Sequence, residues 1–257
     1  MQDKELLVRT QDGVLWLTIH RPDRRNALNA AVLGDLRIAL EAARGDRSLR
    51  AVVLTGSGEQ AFCAGADLGS GAFHFDYSEP RLPLPDLFRL ARSLPIPLVA
   101  RVNGACMAGG MGLLAMCDLA LAVEDAVFGL PEVKVGVYPM QVLSLLQHLV
   151  PRRRLMELCF AGQPVPAGEA LEMGLLNRVV GRDGLDASLE TLLHSLKACS
   201  PTALRRGKYA TYAIETMAFE ESLQFMEGQI GLLAATQDAA EGLAAFREKR
   251  SPAWAGR

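Results

Sequence analysis

Residues 97–118 read PLVARVNGACMAGGMGLLAMCD, and this stretch decides the fold. Its first six residues form a short apolar run typical of a strand, residues 103–112 form a glycine-rich turn, and apolar residues continue to Cys117. A strand that leads through a turn into a helix is the repeating unit of α/β sheets. The turn leaves backbone N–H groups free at a helix start, where the helix dipole favours negative charge.

The same alternation occurs on both sides of this stretch. Strands are predicted at Val14–Ile19, residues 51–55 and Leu119–Val123, and a helix is predicted at residues 30–43. Strands that alternate with helices predict an α/β fold with a largely parallel sheet. Beyond about residue 140 helix formers dominate, with candidate helices at residues 142–149, 153–160, 166–173, 185–198, 201–214 and 219–246. We therefore expect one domain over residues 1–257, with a core to about residue 195 and a helical C-terminal region over about residues 196–257.

The composition of the chain argues against several classes of function. The chain of 257 residues has a formal net charge of −2, which creates no field that would gather nucleic acid or an anionic membrane. Its charged first five residues are followed by no apolar signal-peptide core, so a cytoplasmic location is expected. The five cysteines show no CxxC pair and no Cys/His spacing, which favours free thiols and argues against a metal site.

Two other enzyme classes match only superficially. Gly110-x-Gly112-x-x-Ala115 resembles a dinucleotide-binding motif, but the apolar segment behind it is too short for a crossover helix. Gly56-Ser57-Gly58 lacks the G-x-S-x-G pattern of serine hydrolases, and no histidine lies in a triad context.

Three other segments are candidates for a functional site. Residues 61–68, AFCAGADL, form a second turn of small residues whose backbone can approach a ligand closely. Pro131-Glu132 supplies a lone carboxylate suited to proton transfer beside an amide-bound oxygen. Residues 69–85 form a long loop that either walls an acyl pocket or is a surface flap; its aromatic and imidazole groups are Phe73, His74, Phe75 and Tyr77.

Seven ordered motifs, spread over nearly the whole chain, together resemble the enoyl-CoA hydratase/isomerase, or crotonase, family. The resemblance implies a crotonase-like spiral of ββα units with a helical C-terminal trimerisation region, assembled as a homotrimer or as a homohexamer of two trimers. It also implies an enzyme of fatty acid metabolism that acts on an acyl-CoA thioester and needs no separate cofactor, because coenzyme A is part of the substrate. The motifs are Arg21-Pro22-x-x-Arg25-Asn26-Ala27-Leu28-Asn29, residues 61–68, Asn103-Gly104 with Gly109-Gly110, Cys117-Asp118, Phe128-Gly129-x-Pro131-Glu132, Ala170-x-x-x-Gly174-Leu175 and Phe246-x-Glu248-Lys249-Arg250.

The resemblance assigns roles position by position. The amides of Ala66 and Gly109 correspond to the family's oxyanion hole, and Glu132 corresponds to its later catalytic glutamate. With acyl-CoA bound, we expect the pKa of Glu132 to lie above that of a free carboxyl, since an apolar pocket disfavours its charge. The positions expected to contact coenzyme A or the acyl group, with Lys249 reaching the coenzyme A of a neighbouring subunit, are Arg25, Ala27, Ala64, Asp67, Leu68, Gly112, Tyr138 and Lys249.

The chain departs from the family pattern in two places. Typical hydratases carry a first glutamate on the helix after the glycine turn, and that position falls on Gly112. Around Tyr138, residues 138–143 read YPMQVL where hydratases have a Gly-Gly-Thr-Gln run, which predicts a reshaped acyl pocket.

Three functions therefore stay open. The first is hydration of a straight or branched 2-enoyl-CoA, with Glu132 taking a proton from water and returning it in one concerted step; relatives acting on branched or glutaconyl-type thioesters also keep only the later glutamate. The second is double-bond migration from C3 to C2, which needs one base. The third is acyl-CoA binding without turnover.

Overall fold

The computed structural model describes residues 4–70, 76 and 78–257. Its strands are β1 (Leu6–Gln11), β2 (Val14–Ile19), β3 (Ala51–Gly56), β4 (Ala61–Cys63), β5 (Leu98–Val102), β6 (Ala105–Met107), β7 (Leu119–Val123), β8 (Val127–Gly129), β9 (Val165–Pro166) and β10 (Arg178–Val180). They form a six-stranded sheet in the order β1-β2-β3-β5-β7-β10 and a four-stranded sheet in the order β4-β6-β8-β9. Only the β1–β2 and β8–β9 pairs are antiparallel. The predicted α/β fold with a largely parallel sheet is confirmed.

Ten α-helices surround the sheets within the described part of the chain. They are α1 (Ala30–Gly45), α2 (Pro83–Ser93), α3 (Gly109–Ala115), α4 (Met140–Leu146), α5 (Arg152–Ala161), α6 (Ala167–Glu172), α7 (Leu185–Ala198), α8 (Pro201–Ile214), α9 (Phe219–Ala234) and α10 (Gln237–Glu248). Short 3-10 helices cover Pro22–Arg24, Leu68–Ser70, Pro131–Val135 and Arg182–Gly184. No helix among the described residues combines the length and apolarity needed to cross a membrane.

The first crossover helix shows how local sequence sets an element. The Asn29 side chain accepts a hydrogen bond from the Val32 N–H at 2.9 Å, which satisfies a free donor at the start of α1. Val32, Leu36 and Leu40 recur every four residues and are fully buried. This stripe packs α1 into the apolar core beneath the six-stranded sheet.

Several predicted boundaries need correction. The predicted turn at residues 103–112 contains strand β6, and the second turn at residues 61–68 begins with strand β4. The single helix predicted at residues 219–246 is two helices, because the Thr236 hydroxyl caps α10 by accepting from the Ala239 N–H. Both short strands lie in the four-stranded sheet, which supports the candidate site.

A nearly buried ion pair ties the C-terminal helices to the sheet. Lys208 on α8 donates to Asp118 at 2.6 Å, and the two side chains are 9% and 18% exposed. Tyr212 donates to the other carboxylate oxygen, and the Leu98 N–H donates to the first. Asp118 follows α3 closely in sequence, so this cluster anchors the end of the helix that begins at Gly109.

We expect Lys208→Met to lower the free energy of unfolding by about 3 kcal/mol, because it leaves Asp118 as a buried charge without its cation. Urea unfolding at neutral pH measures the change. Lys134→Met is the matched control, because Lys134 is exposed and its removal should change stability by less than about 0.5 kcal/mol. Equal effects of the two substitutions would show that the ion pair does not hold α8.

Candidate active site

The Ala66 amide is directed outward by a single β-bridge between Leu28 and Ala66. The Leu28 N–H donates to the Gly65 carbonyl at 2.7 Å, and the Asp67 N–H donates to the Leu28 carbonyl at 2.8 Å. Successive peptide groups of an extended chain point to opposite sides, so the N–H of Ala66 points away from Leu28. Within the described residues this amide has no acceptor.

The Gly109 amide is free for a different reason. Gly109 is the first residue of α3, so its N–H has no partner within the helix, and no acceptor for it occurs among the described residues. The preceding residue, Ala108, has φ +50° and ψ −121°, and its own N–H donates to the Gly129 carbonyl at 2.9 Å. This backbone conformation is strained for an L-residue, and strain of this kind concentrates at functional sites.

Gly65 allows the two turns to come together. Its φ is +96°, and a β-carbon placed there would lie 2.6 Å from the Ala108 Cβ and 3.1 Å from the Gly109 nitrogen. A β-carbon placed on Gly109 would lie 3.6 Å from the Ala66 nitrogen. The structure therefore brings the two predicted oxyanion donors side by side, with their amides unpaired.

The four-stranded sheet positions Glu132, which follows β8, next to the strand that leads into Gly109. Strands β6 and β8 pair with Met107 opposite Gly129, and the chain enters the 3-10 helix Pro131–Val135 directly afterwards. The Glu132 Oε2 atom is buried and has no hydrogen-bond partner among the residues that the structure describes. Burial raises the pKa of the carboxyl, and a hydrogen bond from its own backbone N–H only partly opposes this.

Tyr138 lies beside Cys159, which is also close to Glu132. The Tyr138 ring is 6.3 Å from that of Phe160, and its hydroxyl faces the buried thiol of Cys159. Burial raises the pKa of Cys159, and the negative charge of Glu132 raises it further. The predicted acyl-pocket residue and the predicted base thus share Cys159 as a neighbour.

The segment that contains Arg25 and Ala27 runs alongside the turn that contains Ala64. The Ala64 N–H donates to the Arg25 carbonyl at 3.0 Å. Arg25 itself has φ +50° and an exposed side chain, with no ion pair to any described residue, whereas Ala27 is 8% exposed. The structure therefore joins the two predicted segments and leaves one cation available.

Arg21, to which the sequence assigned no role, locks these segments together. Its guanidinium donates to the Ala27 carbonyl at 2.6 Å and to the Asp67 carboxylate at 2.8 Å. The Arg21 hydrogen bond holds the pKa of Asp67 below its usual range. Asp67 therefore holds the turn in place through Arg21, while Leu68 beside it is 60% exposed.

Gly112 faces other side chains. It is buried within α3, one turn beyond Gly109, and a β-carbon placed on it would lie 2.7 Å from Phe88 Cζ and 3.2 Å from Val142 Cγ2. Phe88 is 4% exposed and belongs to α2, a helix that the sequence did not predict. An aromatic ring therefore covers position 112, to which the sequence resemblance assigns the family's first glutamate.

The family model for enoyl-CoA hydratase/isomerase matches residues 9–257. The chain belongs to this family. Members of it act on acyl-CoA thioesters. The hydratase/isomerase YngF of Bacillus subtilis (strain 168) is 32% identical over 274 residues, covering 100% of each chain. The enoyl-CoA hydratase of Mycobacterium smegmatis is 35% identical with a TM-score of 0.90, covering 97% of this chain and 98% of that one. The enoyl-CoA hydratase of Bacillus anthracis is 30% identical with a TM-score of 0.92, covering 98% and 100%.

Two predicted parts of the site, Lys249 and the aromatic loop, are not found next to the two turns among the described residues. Lys249 ends α10 in a left-handed conformation, and α10 packs on α8 and α9, which supply no part of the two turns. Residues 69–85 are predicted to wall an acyl pocket or to form a surface flap; their aromatic and imidazole groups, Phe73, His74, Phe75 and Tyr77, lie outside the described residues, and residues 83–85 belong to α2. Among the described residues of this hydratase/isomerase, no group of His, Cys, Asp and Glu is arranged to hold a metal ion.

The raised pKa of Glu132 gives the hydratase/isomerase a pH-dependent stability. Because the fold disfavours the charged carboxylate, Glu132 destabilises the protein increasingly as the pH rises above the ordinary value of 4.5, until it exceeds the raised pKa. Glu132→Gln removes this charge, so its free energy of unfolding should exceed that of the wild type near pH 8 and approach it below pH 4.5. Urea unfolding of both proteins across this range measures the difference, and a difference independent of pH would contradict burial as its cause.

Proposed function

We propose that this protein is an enoyl-CoA hydratase that adds water across the C2–C3 double bond of a 2-enoyl-CoA, straight or branched. The observation that supports this most directly is the pair of unpaired amides at Ala66 and Gly109, held side by side. Two fixed donors are suited to a thioester oxygen that becomes negative as the α carbon gains carbanion character. The similar proteins of Mycobacterium smegmatis and Bacillus anthracis are enoyl-CoA hydratases, which favours water as the second reactant.

Glu132 is the proposed acid/base. Its Oε2 atom is a buried acceptor with no partner in the described part of the chain, and such an atom is suited to hold the O–H of a reacting water. The water oxygen bonds to C3 and its proton passes to Glu132. The electron pair of the double bond moves toward the thioester, and Glu132 returns the proton to C2. The sum is addition of one water, and the carboxylate ends as it began.

Coenzyme A is proposed to lie along the paired segments. Arg25 is an exposed cation suited to a phosphate, and Ala27, Ala64 and Leu68 present backbone and apolar surface beside it. The C-terminal Lys249 is exposed and is proposed to reach the coenzyme A of a neighbouring subunit. No cofactor beyond the coenzyme A of the substrate is proposed.

Double-bond migration is the second candidate, and the contact between Gly112 and Phe88 favours it. An apolar ring at this position supplies no polar group to orient water, whereas migration requires only that one base remove a proton from C2 and return it to C4. Crotonyl-CoA and 3-hexenoyl-CoA separate the two reactions. A hydratase lowers the enoyl-thioester absorbance of crotonyl-CoA, and an isomerase raises that absorbance from 3-hexenoyl-CoA. Migration without net hydration of either substrate would overturn the first proposal.

A homotrimer, or a homohexamer of two trimers, is proposed from helix α9. None of its 16 residues is buried, although it carries Phe219, Ile230 and Leu232 at 75%, 64% and 57% exposure. A helix so apolar and so exposed is suited to be covered by another copy of the chain. The five cysteines are free thiols, which is compatible with the proposed cytoplasmic location.

Ile230→Asp should therefore dissociate the assembly. A carboxylate at this exposed apolar position would be buried without a partner on association, which costs several kcal/mol. Light scattering after size-exclusion chromatography measures the mass of both proteins. Asp substituted at Ile38, which is 57% exposed on α1, is the control and should leave the mass unchanged. A monomeric wild-type protein would contradict the proposed trimer.

A further inference from the structure

The helix that begins at Gly109 is covered by an aromatic side chain one turn further along. The Phe88 ring lies where a side chain at position 112 would begin, with 2.7 Å between Phe88 Cζ and a β-carbon placed on Gly112. The Val142 Cγ2 atom lies 3.2 Å from the same point. A side chain at position 112 would therefore emerge between two buried groups on two other helices.

The ring cannot move aside without cost. Phe88 is 4% exposed and Val142 is 3% exposed, and α2, which carries the ring, packs on α1 and α8. Cores are close-packed, so displacing a buried ring moves its neighbours as well. Glycine at 112 and phenylalanine at 88 thus depend on each other.

This pairing has a chemical consequence. Positions 109 and 112 lie one turn apart on α3, and the described side chains nearest to position 112 are the aromatic Phe88 and the aliphatic Val142. An apolar wall neither orients water nor transfers a proton. Glu132 then carries both proton transfers alone.

We propose that Phe88 is a specificity-determining residue that keeps this a one-carboxylate site by occupying the space of a side chain at position 112. The proposal rests on the proposed function, in which Glu132 is the acid/base. It implies that removing the ring makes room for a second carboxylate that takes part in water addition. Phe88 affects the reaction by leaving no space for a second carboxylate at position 112.

The packing half of the proposal is tested without any assay of turnover. Gly112→Ala should lower the Tm by about 3–8 °C when Phe88 is present, since overpacking of a core has this effect. The same substitution in a Phe88→Ala background should lower the Tm by less than about 2 °C, because the ring is gone. Equal shifts in the two backgrounds would overturn the proposal.

The functional half compares two double variants of equal size. F88A/G112E carries a second carboxylate, and F88A/G112Q carries an amide of the same shape. The first should hydrate crotonyl-CoA at least about 10-fold faster than the second and add an ionisation to the pH profile of kcat/KM. Equal rates with equal profiles would overturn the proposal.

The 3-hexenoyl-CoA assay serves as the reference for both double variants. The ratio of hydration to migration should rise in F88A/G112E alone, and an unchanged ratio would count against the role of Phe88. If wild type neither hydrates nor isomerises any enoyl-CoA, the proposed function fails. The Tm comparison still decides the packing in that case, so the two failures are distinguishable.

Discussion

Glu132→Gln is expected to lower kcat/KM for enoyl-CoA turnover by at least about 100-fold. The amide keeps the shape of the side chain but can neither accept the proton of water nor return it to C2. The Oε2 atom is buried and pairs with no described residue, so removing the charge should leave the fold intact and should not lower the Tm at neutral pH. Steady-state kinetics with crotonyl-CoA and 3-hexenoyl-CoA measure the loss.

Glu172→Gln is the matched control, because Glu172 is exposed and lies on another helix. It should change kcat/KM less than about twofold. Acyl-CoA affinity, measured by calorimetry, should be nearly equal in wild type and both variants. Full activity of Glu132→Gln would show that Glu132 is not the acid/base. Tight binding without turnover in wild type would instead indicate an acyl-CoA binding protein.

Gly65→Ala is expected to lower kcat/KM by roughly 100- to 1000-fold, the size of effect seen when one oxyanion donor is lost. The added methyl would lie 2.6 Å from the Ala108 Cβ, so the turns around Ala66 and Gly109 must separate. The residue also has φ +96°, which an L-side chain adopts only with strain. The loss should appear mainly in kcat, since the amides act on the negative oxygen of the transition state.

Gly58→Ala separates these two causes. Gly58 also has a positive φ, +72°, but the nearest atom to a β-carbon there is Pro22 Cβ at 3.9 Å. This substitution should lower stability by about 1 kcal/mol, with little change in kcat. If both variants kept wild-type kcat, the proposed oxyanion hole would be wrong.

Long elements with clear termini could be predicted from the sequence. Strand Val14–Ile19 is an almost continuous run of apolar residues, and α8 begins at Pro201 after a serine whose hydroxyl accepts from the Ala203 N–H. Strands β4, β6 and β8 have three residues each, too few to show an alternating pattern. They pair because the six-stranded sheet and its turns bring them together, which is a tertiary effect.

The candidate site likewise contains residues that sequence motifs indicate and residues that only the packing of the fold brings together. Motifs placed Ala66, Gly109 and Glu132, because each follows a turn whose residue types are restricted by backbone geometry. Phe88 could not be found in this manner, since its contact with Gly112 arises from the packing of two helices. The ion pairing of Arg21 with Asp67 likewise joins residues far apart in sequence, although Arg21 opens a recognisable motif.

The single bridge between Leu28 and Ala66 couples the movements of two segments of the candidate site. Three backbone hydrogen bonds and the Arg21 guanidinium join the segment proposed to bind the nucleotide end of the ligand to the turn that carries the proposed oxyanion donor. A displacement of the first segment is thus transmitted to the second, without an intervening loop to absorb it. If coenzyme A binds as proposed, its nucleotide end and its thioester carbonyl contact two joined segments of backbone, so binding of the nucleotide would help to align the proposed oxyanion donor at Ala66.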